Sequence, residues 1–205
     1  MVMLITKLDQ ARIAAAIRAA EAKTEGEIVC VLAKSSSAYA LYPLAWASLI
    51  ALALPWVLVA TTALPVQRIL LVQILVFGGL FGLLSLPALR HRLVPRNVQR
   101  SVAHQAAMQQ FRIRGMAHKA NRAGVLIFVS LEEHYARIIA DEGISKRVDQ
   151  QVWQGALDAL LSHMSKDRVA EGFIAALERC GDVLAQHFPA GSSQANDLPD
   201  RIYLI

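Results

Sequence analysis

Acidic residues are absent from the middle of this chain: none occurs between Glu27 and Glu132. Cysteine is almost absent too, with Cys30 and Cys180 alone, which excludes a disulfide scaffold and a four-thiolate zinc site. No pair among these cysteines and His91, His104, His118, His134, His163 and His187 has zinc-ligand spacing. The Walker, G-x-G-x-x-G and G-x-S-x-G patterns are missing, so the common nucleotide-binding and serine-hydrolase signatures are excluded. Charge is scarce at 18%, whereas hydrophobic residues make up 55% of the 205 residues. Disorder as the general state requires the opposite balance. Mean hydropathy is +0.40. The apolar excess is concentrated in one region, which excludes an ordinary fully soluble protein.

That region runs from Leu41 to Leu89 and holds one charge, Arg68. Residues 41–61 and 69–89 are each long enough to cross a hydrocarbon core of ~30 Å. The Leu, Ile, Val and Phe residues of the second stretch favour insertion by about 4–8 kcal/mol. The connection from Thr62 to Arg68 is short and carries Pro65, so the two spans are expected to be antiparallel neighbours. Pro55 lies inside the first span, where lipid tolerates a kink. Gly78 and Gly82 form a GxxxG pair, which suits close packing against the first span or formation of a homodimer. Lys7, Arg12, Arg18, Lys23 and Lys34 precede the hairpin; Arg90, Arg92, Arg96 and Arg100 follow it. The positive-inside rule then predicts a multi-pass protein of the plasma (inner) membrane with both termini in the cytoplasm. Residues 1–25 show no apolar h-region before a small-residue cleavage site, so no signal peptide is expected there.

The flanking pieces read as an α/β domain. Thr6 and Asp9 form a capping signal before Leu8, Ile13, Ala16, Ile17 and Ala20, which follow a helical period. Residues 27–32 form a β-branched run, the pattern of a buried strand. Past the hairpin, Pro95 suits the first turn of a helix reaching about Gly115. Residues 124–130 give the strongest strand, a turn follows at 132–134, and 135–140 read as its hairpin partner. Ser145 is expected to cap a helix carrying Val148, Val152, Trp153, Leu157, Leu160, Leu161 and Met164. A last helix carries Val169, Phe173, Leu177, Cys180 and Leu184 and stops before Pro189. The expected organisation is residues 1–40 as the first part of a domain, 41–89 as the inserted hairpin, 90–190 as the remainder and 191–205 as a loose tail. The fold class is a small sandwich of a short sheet flanked by helices, since a strand buried on both faces needs helices on both sides.

Four stretches carry a family resemblance. Residues 24–29 (TEGEIV), 122–130 (RAGVLIFVS) and 137–144 (RIIADEGI) match strand and turn motifs. Residues 172–181, followed by His187-Phe188-Pro189 and 196–199 (NDLP), match an ending. Together they resemble the TPM-domain family, in its membrane-bound bacterial branch. The resemblance implies a small α/β fold. It also implies two kinds of role, since some plant relatives are described as acid phosphatases and others as repair or assembly factors for membrane complexes. Two departures stand out: the hairpin follows the first strand directly, and the glycine-rich turn is reduced to Asp141-Glu142-Gly143-Ile144.

Chemistry is sparse. Glu132, Glu133, Asp141 and Glu142 are expected to cluster at the ends of adjacent strands. Glu133, Asp141 and Glu142 would hold Mg²⁺ or Ca²⁺ through oxygen ligands, unless they are simply solvated turns. Arg137 would then bind phosphate, making a metal-assisted, membrane-tethered phosphatase with Asp141, Glu142 and Arg137 as its catalytic set. Residues 90–122 hold basic residues and no acid; Arg96, Arg100 and His104 step by four along one helix face. Beside a membrane exit, Arg90, Arg92, Arg96 and Arg100 read as a patch attracted to anionic lipid head groups, or as the topology signal alone. No aromatic platform accompanies them, so nucleic acid is not an expected partner. Cys30 and Cys180 read as buried, reduced core residues. The preferred expectation is a non-catalytic accessory module held at the cytoplasmic face, acting through an unidentified membrane partner.

Overall fold

The Thr6 hydroxyl accepts the Asp9 amide at 3.1 Å while the Asp9 carboxylate accepts the Thr6 amide at 3.1 Å. This reciprocal box starts α1 (Lys7–Glu21). The computed structural model describes residues 5–36, 39, 41–86, 89, 94–114, 124–191 and 199–205. Ile13, Ile17 and Ala20 of α1 are buried, whereas Leu8 projects from the first turn and is exposed. The remaining elements are β1 (Glu27–Ala33), α2 (Leu41–Thr61), α3 (Val66–Leu84), α4 (Arg96–Ile113), β2 (Gly124–Ser130), β3 (Tyr135–Ala140), a four-residue α5 (Glu142–Ser145), a 3₁₀ turn (Gln150–Trp153), α6 (Gln154–Met164), α7 (Val169–His187) and β4 (Ile202–Leu204).

The four strands form one sheet in the order β3-β2-β1-β4. β1 pairs in parallel with β2 and with β4, and β2 pairs antiparallel with β3. Every residue of β1 and β2 is buried, which follows from helices covering both faces. On one face Cys30, Leu32, Ile127 and Ile138 pack with Ile13, Trp153, Leu160 and Phe173. On the other, Val29, Val31, Leu126 and Phe128 pack with Ala107 and Phe111 of α4. Gly181 allows α7 to lie close to α1, because a Cβ there would meet the Ala20 Cβ at 2.9 Å.

Two expectations are corrected. Ser145 caps nothing: its hydroxyl bonds back to the Asp141 carbonyl at 2.9 Å, and the short α5 is capped by Asp141 instead. The 3₁₀ turn has its own cap, Asp149, whose carboxylate accepts the Gln151 amide at 2.9 Å. The 191–205 tail is not loose at its end, since Cys30–Leu32 pairs with 202–204. An added parallel strand satisfies the outer edge of β1, whose backbone would otherwise be buried without partners. Part of that tail, residues 192–198, lies outside the described residues.

The chain divides into two compact units, 1–36 with 102–205, and 37–101. In the second, α2 spans the expected 41–61, but α3 starts at Val66, earlier than expected. Pro65 is its N-cap, so Arg68 sits in the first helical turn rather than in the loop. Both helices are long and apolar enough to cross a membrane. An apolar groove between them is lined by Ala51, Leu70, Ile74 and Phe77, with Ser48 and Gln73 as its polar members. Gly78, Gly79 and Gly82 have open space where a Cβ would stand, so α2 does not pack on the GxxxG stripe.

At the C-terminal end of α1, the Glu21 carboxylate accepts the Ile28 amide at 2.8 Å. Burial pushes its pKa up from 4.5 to about 8, with Asp200 and Glu27 adding repulsion and the Ile28 amide opposing. The folded state therefore holds this proton more tightly than the unfolded chain. The contribution to stability is fully present below pH 4.5 and declines as pH rises to about 8. Thermal unfolding of the full chain followed across this range should show a falling midpoint. Glu21→Gln, which keeps the acceptor for Ile28, should flatten that fall.

Candidate functional site

β1 and β2 run in parallel with Ala33 opposite Ser130, so both chains leave the sheet at the same end. In open α/β sheets this carboxyl end is where ligands bind. β1 continues into Lys34, Ser35 and Ser36, and β2 turns through 131–134 into β3. The turn requires a left-handed residue, His134, at φ 49°.

Glu133 projects inward from this turn and is 6% exposed. Its Oε1 accepts the Ser36 amide at 2.9 Å and the Ser35 hydroxyl at 3.1 Å. Its Oε2 accepts the Ser130 hydroxyl. The Ser36 hydroxyl donates in turn to Ser130 Oγ at 2.9 Å. The result is a chain of donors, Ser36 to Ser130 to Glu133, closing on one carboxylate. Charge-assisted bonds of this kind are about twice as strong as neutral ones. They tie the residues just before α2 to the β2–β3 turn. Sequence reasoning placed Glu133 among cation ligands and missed the serines.

Asp141 and Glu142 lie at the other end of β3. The Asp141 amide donates to the Gly124 carbonyl at 2.8 Å, and its Oδ1 accepts the Glu142 amide at 2.6 Å. Asp141 Oδ2 is buried and has no hydrogen-bond partner among the described residues. Glu142 is exposed and pairs with Lys146 at 2.8 Å. The ladder sets Ser130 opposite Tyr135 and Val125 opposite Ala140, so the length of β3, about 20 Å at ~3.3 Å per residue, separates Glu133 from Asp141 and Glu142. The expected convergence of these three on one cation is therefore corrected: adjacent strands bring loops together only at the same end. Among the described residues, no group of three His, Cys, Asp or Glu side chains is placed to hold a metal ion.

Arg137 stands mid-strand on the face that meets α4, where its Nη1 lies 3.3 Å from His104 Nδ1. The Tyr135 hydroxyl is 3.4 Å from the same nitrogen. Arg96 and Arg100 lie exposed on α4, four residues apart. Arg90 and Arg92 fall outside the described residues. Cys30 and Cys180 are buried free thiols; burial pushes Cys180 up to about 12 and Cys30 well above its ordinary value, so neither forms a nucleophilic thiolate.

Glu133→Ala should remove the acceptor shared by two hydroxyls and one amide and destabilise the domain by about 2–4 kcal/mol. Glu133→Gln keeps an acceptor for Ser36 and should cost less than half as much. Denaturant unfolding of the full chain measures both.

Residues 92–183 match the family model of the TPM domain. The fold is similar to the NMR structure of the BA42 protein from the psychrophilic bacterium Bizionia argentinensis. The TM-score is 0.62 at 20% identity, covering 100% of this chain and 97% of that one. Among curated proteins, none matches this sequence. The four-stranded mixed sheet with helices on both faces and the match over 92–183 lead to one conclusion: residues 92–183 of this chain are similar to a TPM domain.

Proposed function

We propose that this protein is a TPM domain anchored by a two-helix hairpin in the plasma (inner) membrane, with both termini in the cytoplasm. It acts as an accessory module through a protein partner in or at that membrane. One observation carries the reading: α2 and α3, of 21 and 19 residues, expose apolar side chains on nearly all sides. At 1.5 Å per residue they are about 31 and 28 Å long, the thickness of a bilayer core. Trp56 and Ile74 are 81% and 71% exposed, a surface that water does not tolerate over two whole helices. Basic residues on both flanks of the hairpin, against Arg68 alone at its turn, support the orientation.

An accessory role is favoured over hydrolysis by the arrangement of the acidic groups. Glu133 is committed to serine hydroxyls, while Asp141 caps a helix at the far end of β3. The phosphatase alternative, with Mg²⁺ or Ca²⁺ at Asp141 and Glu142, needs a cation site that does not include Glu133.

Three measurements test this. A cysteine introduced at Leu64, beside Pro65, should react with an impermeant maleimide added from outside intact cells; labelling only after lysis would reverse the orientation. Purified protein should show no turnover of a small aryl phosphate, with or without Mg²⁺ or Ca²⁺, beyond that of Asp141→Asn. Cation-dependent turnover lost in Asp141→Asn would make it a phosphatase. Crosslinking in the native membrane should then capture a partner, either another protein or a second copy of this chain.

A further inference from the structure

The groove between α2 and α3 has a volume of about 490 Å³ and is apolar except for Ser48 and Gln73. Leu70 and Ile74 form part of its α3 wall and are 52% and 71% exposed. Gln73 is half-buried between them. Measured along the α3 axis it lies about 10 Å from Val66 and about 16 Å from Leu84. With the hairpin anchored as proposed above, a reading on which this inference rests, that depth is hydrocarbon from either side. A primary amide carries two N–H donors and an acceptor oxygen. Water satisfies them at an ordinary protein surface; hydrocarbon does not, so an unbonded amide there is costly. Other polar groups of the hairpin are satisfied within it. The Thr61 and Thr62 hydroxyls donate to the Val57 and Leu58 carbonyls at 2.8 and 2.6 Å. Gln73 makes no side-chain hydrogen bond among the described residues. Its partner must therefore come from outside the hairpin.

Symmetry selects the occupant. Two copies related by a two-fold axis along the membrane normal present the same residues to each other at the same depth. Gln73 then meets Gln73 of the second copy. An amide is its own complement, because each side donates an N–H and accepts on its carbonyl oxygen. A partner of different sequence needs a polar group of its own at that depth, and the groove holds no charge to select one. We propose that this groove is the interface of a homodimer, in which the α3 helices of two copies meet and their Gln73 amides hydrogen-bond to each other. Leu70, Ile74 and Phe77 lie within about 100° of Gln73 around the helix and supply the apolar contact. Gly78 and Gly82 stand about 140–180° away, so the GxxxG pair is not the contact in this dimer.

The test uses the full chain in the membranes of expressing cells, washed with alkaline carbonate and then oxidised. Cys30 and Cys180 are buried, which keeps the background low. Leu70→Cys, on the groove wall, should give a disulfide-linked dimer. Leu75→Cys, 65% exposed on the glycine side of α3, should not. Sedimentation equilibrium in a density-matched uncharged detergent then measures the association. Gln73→Leu should weaken it by about tenfold, and Gln73→Asn, which keeps the amide on a shorter stem, should fall between. Gly78→Ala, whose added Cβ has open space, should associate as the unaltered chain does. A dimer through Leu75→Cys alone, a Leu70→Cys crosslink to a different protein, or equal association of Gln73→Leu overturns the proposal. Protein that stays in the washed membrane yet forms no dimer overturns it while leaving the anchoring intact. Release by the wash overturns the anchoring and this dimer together.

Discussion

The pairing of β1 with β2 is the contact on which the other features depend. Glu27–Ala33 and Gly124–Ser130 are joined residue for residue, yet two apolar helices and α4 lie between them in the chain. Neither strand is stable alone, because each is buried on both faces and needs a neighbour for its backbone groups. Closing so long a loop carries an entropic cost, but one that grows only slowly with length, by about 0.6 kcal/mol per doubling. An insertion of this size is therefore compatible with a single sheet. The fold accordingly forms one unit from residues 1–36 and 102–205 and a second from 37–101.

Parallel pairing also decides where the polar groups meet. Two strands that run the same way deliver their following loops to the same end. Ser35 and Ser36 from one and the Glu133 turn from the other therefore meet there. Antiparallel pairing of β3 then carries Asp141 away to the opposite end. The same alternation along β3 sends Ile138 into the core and Arg137 toward α4. Three groups close in sequence thus enter three different environments.

Much of the architecture was legible in the residues. The capping pair Thr6 and Asp9, the strands at 124–130 and 135–140, and the 41–61 helix appear where periodicity and composition put them. These signals are local: a cap, a β-branched run or an uncharged span needs no distant partner to be recognised. The third strand neighbour was not legible. Ile202–Leu204 is three residues long, too short for any period, and becomes a strand because β1 has an edge to cover. The start of the helix after β3 was misread for a related reason, since Asp141, Ser145 and Asp149 are all competent caps and only the backbone path selects among them.

The sequence by itself determined the types of the longer elements, the two membrane-length helices and the basic bias around them, because these rest on composition within a window of residues. The tertiary structure alone decided which polar side chains meet. Glu133 with Ser35 and Ser36, and His104 with Tyr135 and Arg137, are contacts between segments far apart in the chain. No local pattern encodes them, because strand direction and register, not spacing, set the distance between two side chains on a sheet.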